Sequence, residues 1–141
     1  MNATDMWTTA IEMDELATQR TVAWHAKHPD STVGGEQTYD VVATRDFATH
    51  CRTAALIATV DGPVATMEGW ILAPHPLMVR CTRFAVSVTT QSQRHFAAEV
   101  DDLPGTAAAL LRIAAEAALA CTSQSGHCDD CAKWASSIPA A

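Results

Sequence analysis

Cysteine and histidine crowd one corner of this sequence. In GHCDDCAKW, residues 126–134, His127, Cys128 and Cys131 fall within five positions, and Cys121 precedes Cys128 by seven. Two thiolates in a C-x-x-C spacing can turn onto one ion at metal–sulfur distances of about 2.3 Å, which is why zinc sites use it. Cys121 extends the pattern to C-x6-C-x2-C. A tetrahedral site wants a fourth donor. His127 is the nearest in sequence, but adjacent residues seldom both ligate. His25 and His28, three apart at the end of the first expected helix, are alternatives. Cys51, beside His50, and Cys81 are further options.

Other chemistries fit the corner less well. Asp129 and Asp130, between the two thiols, disfavour the thiolate by like charge and so argue against a redox nucleophile. A thioredoxin-type pair opens a helix after a strand, whereas this pair follows an expected helix. A nucleobase deaminase pairs H-x-E with P-C-x-x-C. No proline precedes Cys128, and HFAAE at 95–99 has the wrong spacing. A zinc hydrolase needs an open metal position and a general base. The plain alternative is a tail whose cysteines are compact apolar residues.

A second group, Arg80, Arg83 and Arg94 with His95, suggests a site for an anion or an acidic partner. Solvated strand edges, where charge guards against aggregation, would use the same residues. Trp134 is an aromatic anchor in an exposed-looking tail, the kind of residue that marks an interface. Trp7, Trp24 and Trp70 read as packing residues. WILAPHPLM, 70–78, has two prolines and no clean period, so it reads as a docking loop or a buried crossing. His50, His75 and His95 read as structural or surface residues.

The elements that must position these residues follow from periodicity. Met6, Ala10, Met13, Ala17, Thr21, Trp24 and His28 recur at helical steps, which predicts a helix over 4–28 that Pro29 ends. PDSTVGGEQ, 29–37, is a loop. TYDVVAT, 38–44, is expected as a short strand. The stretch 45–60 begins like a helix and ends in AALIATV, expected as a buried strand. Asp61-Gly62 then makes a turn, and PVATMEGWIL pairs back antiparallel. FAVSVTT (84–90) and RHFAAEV (94–100) alternate with period two and form a hairpin, with LMVRC (77–81) leading in. Residues 101–121 form an alanine-rich helix with Pro104 in its first turn. Its packing stripe is Leu103, Ala107, Leu110, Ala114, Ala117 and Cys121. Gly126 ends the connection with positive φ, and the tail 122–141 finishes in a frayed SSIPAA. The expectation is an α+β fold: an antiparallel sheet of roughly four strands, an N-terminal helix and an Ala-rich C-terminal helix packed on it, in a single domain over 1–141.

Composition bounds the function. The 141 residues are 48% hydrophobic and 18% charged, a globular balance rather than a disordered one. The net charge is −7 with only two lysines, so the broad cationic surface that neutralises phosphates is missing. No apolar run nears the ~20 residues that span a bilayer, and the N-terminus lacks a signal-peptide pattern. Five cysteines, an odd number, suit a reducing compartment as thiols or metal ligands. These features lead to the expectation of a soluble, cytoplasmic, non-enzymatic module that binds another protein, with zinc organising its C-terminal corner. The alternatives are a ligand-binding or enzymatic domain with a pocket between sheet and helices, and an acidic inhibitor of a DNA-binding protein.

Overall fold

A computed structural model describes residues 1–32, 34–123 and 126–139 of the chain. Helix α1 (Ala3–Lys27) starts at Asn2, whose side chain accepts the Asp5 backbone N–H at 2.8 Å. Its inward face carries Trp7, Ala10, Asp14 and Ala17 at helical spacing. After a 3₁₀ turn, Gly35–Gln37, the chain enters helix α2 (Tyr39–Val60), which runs back along α1. Gly35 is buried where this turn meets α1. A Cβ there would stand 3.1 Å from both Thr21 O and Trp24 Cβ, so the close approach requires glycine.

Helix α2 corrects the expected strands at 38–44 and in AALIATV. Val41, Thr44, Ala48, Cys51, Arg52, Ala55, Leu56 and Val60 are buried at steps of three and four, a helical period sustained over the whole segment. The β-branched residues that suggested strands are accommodated on the helix. Thr44, Thr53 and Thr59 donate their hydroxyls to the carbonyls four residues back. PVATMEGWIL therefore has no strand partner before it and folds on itself. Strands β1 (Thr66–Met67) and β2 (Trp70–Ile71) pair across Glu68-Gly69, both with positive φ, as a two-residue hairpin requires.

Strands β3 (Leu77–Cys81), β4 (Ala85–Thr89) and β5 (His95–Glu99) complete a five-stranded antiparallel meander in the order β1 to β5. Leu77, Val79 and Cys81 face inward while Met78 and Arg80 face out, so one face is covered. The expected hairpin is present, with Val86 and Val88 buried and Phe84 exposed just before β4. Helix α3 (Leu103–Leu119) is capped by Asp102, which accepts the Gly105 N–H at 2.7 Å. The expected stripe lies on the core from Leu103 to Ala117, with Ile113, which it did not include, buried beside Leu110 and Ala114; Cys121 falls outside this core.

The covering layer is α2 and α3, which touch each other and the sheet, whereas α1 packs mainly on α2. Leu56, Val60, Ile71, Leu77, Val79, Val86, Val88, Leu110 and Ile113 fill the space between. Regular structure extends through Ser137, into the SSIPAA segment expected to fray. A small hairpin, β6 (Thr122–Ser123) with β7 (Gly126–His127), leads into helix α4 (Asp129–Ser137). Gly126 has φ +115, in the region glycine favours. Ala140 and Ala141, at the end of SSIPAA, lie outside the described residues. Among the described residues no helix is long and apolar enough to cross a membrane.

Candidate metal centre

The small hairpin is what gathers the cysteines. Helix α3 closes at Ala120, and Cys121 follows at once. The β6–β7 pairing then turns the chain back, so that the Cys128 N–H donates to Cys121 O at 3.2 Å. Cys128 is the N-cap of α4, and Cys131 lies one turn inside it. The C-x-x-C spacing thus sets both thiols at the start of one helix. Ala118, Cys128, Cys131 and Ala135 form a small buried cluster that seats this helix against the end of α3.

The fourth group comes from far away in sequence. His75 lies in the connection between β2 and β3, between Pro74 and Pro76, whose fixed φ angles hold the backbone there. Its Nδ1 is 3.1 Å from Cys131 Sγ, 3.3 Å from Cys121 Sγ and 3.6 Å from Cys128 Sγ. One ring nitrogen carries at most one hydrogen, so it cannot donate to three sulfurs. A shared point of convergence explains the arrangement better than a hydrogen-bond network does. The four donor atoms lie within 4.8 Å of one another, a spacing compatible with one metal ion. It is too tight to straddle a multi-iron cluster.

The electrostatics divide the thiols. Cys128 has its pKa lowered, chiefly because the Cys131 backbone N–H in the first turn of α4 reaches its sulfur, and the Asp130 N–H adds to this. These donors prevail over the like charge of Asp129 and Asp130, whose side chains are exposed. Cys131 is pushed up to about 12, first by burial. A metal binding here must therefore displace a proton, at least from Cys131. Beside the centre opens a cavity of about 220 Å³ lined by Leu77, Thr90, Arg94 and Ala117 together with His75, Cys121 and Cys131.

Of the residues singled out in sequence, Cys121, Cys128 and Cys131 stand together. His127 is not among them; it sits exposed on β7, paired with Thr122. His25 and His28 serve the end of α1 instead. His25 Nε2 accepts the Gly35 N–H at 3.2 Å, and His28 stacks on Trp24 at 4.3 Å. Cys51 packs with Ala10 and Ala48. Cys81 is in the main core, its thiol pushed up to about 12 by burial. Arg80 and Arg83 border a groove between α2 and the β3–β4 turn. Arg94 is apart from them, donating to Ala120 O at 3.2 Å beside the cysteines. Trp134 lies half-buried on α4 and packs against the main core. The group sequence reasoning missed is His75. Its nearest cysteine partner in the chain, Cys121, is 46 positions away. The pair of flanking prolines in WILAPHPLM was the signal that could have flagged it. Comparison with family models, curated proteins and solved structures gave no match to this chain.

Proposed function

We propose that His75, Cys121, Cys128 and Cys131 bind one zinc ion, which organises a protein-binding module. The observation that supports this is the convergence of four donors from separate segments. For metal–sulfur bonds of about 2.3 Å and a metal–nitrogen bond of about 2.0 Å, a tetrahedron has nitrogen–sulfur edges of roughly 3.5 Å. The observed 3.1, 3.3 and 3.6 Å bracket that value. Three thiolates and an imidazole select zinc over the hard cations. Four protein ligands fill the tetrahedron and leave no position for a water, which is the pattern of a structural ion. The ion joins the β2–β3 connection to the end of α3 and the start of α4.

Protein purified without a histidine tag is expected to hold about one zinc per chain by elemental analysis. A chelator should release it and expose the three ligand thiols to a thiol reagent. Because binding displaces protons, the apparent zinc affinity should fall as pH is lowered from 8 to 6, by roughly tenfold or more per unit. Less than a tenth of an equivalent, after refolding with added zinc, would sink the proposal.

Recognition of a protein partner is supported by a different surface. Phe84 is 71% exposed, with the Arg83 guanidinium 4.4 Å from its ring, and Val42 of α2 borders the same groove. Exposed aromatics and arginines of this kind anchor interfaces. A photocrosslinking residue at position 84 is expected to capture a discrete protein in cells. The same residue at Glu68, exposed in the β1–β2 turn, serves as the control. Equal capture at both positions would count against this surface.

A further inference from the structure

We infer that Cys121 is an alkylation site, a zinc-bound thiolate that accepts a carbon group from a small soft electrophile entering the adjacent cavity. The inference rests on zinc binding as proposed above and extends it from the ion to one of its sulfurs. A metal-bound cysteine is held deprotonated, and the thiolate is the nucleophilic form. Here three thiolates outnumber the two charges of the ion, so the centre is net negative and its sulfurs are electron-rich.

The three sulfurs are not equivalent. Cys128 and Cys131 are buried, whereas Cys121 is half-buried. Backbone N–H groups of Cys131 and Asp130 reach the Cys128 sulfur, and that of His75 reaches the Cys131 sulfur. Such donors draw charge from a sulfur and blunt its attack. Cys121 lines the 220 Å³ cavity with Leu77, Ala117 and Arg94; Cys131 lines it too, but is buried where Cys121 is half-exposed. That volume suits a small group. Arg94, placed beside Cys121 by its bond to Ala120 O, brings a positive charge to the same cavity that would favour a departing anion.

The step needs no oxidant. A Cys121 Sγ lone pair forms the new sulfur–carbon bond, the carbon–leaving-group bond breaks, and the leaving group departs as an anion with its electron pair. The sulfur becomes a neutral thioether, a weaker ligand, and the net negative charge of the centre falls by one.

The test uses zinc-loaded full-length protein, its zinc content measured first, treated with iodoacetamide at pH 6 and read by intact mass and peptide mapping. At that pH a free thiol is under about 1% thiolate. The expected result is one adduct per chain, on Cys121, formed at least tenfold faster than on a free-cysteine peptide in the same tube. Peptide mapping of the zinc-loaded protein should place that adduct on Cys121 and leave Cys128 and Cys131 unmodified. A first adduct on Cys128, Cys131 or a core cysteine overturns the inference. So does a rate no faster than the peptide's while zinc stays bound. A sample that takes up no zinc overturns the underlying reading, and this inference with it.

Discussion

Cys131→Ser is expected to strip the protein of its metal and unfold its C-terminal corner while leaving the sheet intact. Serine fills nearly the same volume, but its hydroxyl is a poor zinc ligand beside a thiolate. The four-donor set then loses its most deeply buried member. With free zinc a hundredfold above the dissociation constant, losing the ion removes about 2.7 kcal/mol. For a chain of this length that is a fall in Tm of roughly 10 °C. The loss should be local. Helix α4 has nine residues, too short to persist alone, and is seated by the Cys128–Cys131–Ala135 cluster. Hydrogen exchange should show protection lost across residues 126–137 and retained in β3, β4 and β5. The half-buried Trp134 should become more exposed, with its fluorescence shifted to the red. Unchanged zinc content in Cys131→Ser would refute this assignment of ligands. Uniform loss of protection would refute the local picture.

Asp14→Ala is expected to cost about 3–5 kcal/mol, through a mechanism unrelated to the metal. Asp14 on α1 is buried and receives two guanidiniums from α2. Arg45 bonds its Oδ1 at 2.8 Å, and Arg52 bonds its Oδ2. Arg52 is itself buried, lies 5.9 Å from the Trp7 ring, and its Nε has no hydrogen-bond partner among the described residues. Removing the one carboxylate leaves an uncompensated charge between two helices. Replacing the buried pair, as in Asp14→Leu with Arg52→Met, should be less harmful than Asp14→Leu alone, because a packed apolar pair carries no desolvation penalty while the more exposed Arg45 keeps its bonds to the backbone carbonyl at position 14 and to Thr18. Urea melts of the singles and the double form the cycle. A double as unstable as the sum of the singles would show that the pair is not coupled.

Fold class was legible because its signals were local. The hairpin of β4 and β5 shows period two in both strands, and the stripe of α3 runs unbroken from Leu103 to Ala117. Helix α2 was misread because Val41, Val42, Leu56 and Ile57 suggest strands when taken in short windows. The helical period emerges only when Val41, Thr44, Ala48, Cys51 and Ala55 are read together. Asp14 stands between Met13 and Glu15 with no local sign that it is buried. Its burial depends on where Arg45 and Arg52 arrive, 31 and 38 residues later. The metal centre was half legible for the same reason. Cys121, Cys128 and Cys131 are close in sequence, whereas His75 is brought in by the meander and leaves no mark on their spacing.

That separation has a mechanical consequence. His75 and Cys131 are 56 residues apart, yet both would grip the same ion. Tension applied between the two ends of the chain would pass along the helical hairpin to residue 75, cross through the ion, and leave by α4. The segment between, which holds β3, β4, β5 and α3, would lie in a bypassed loop that carries no load. Under force the paired helices α1 and α2 would yield first, and most of the sheet would lengthen only after a metal–ligand bond had ruptured.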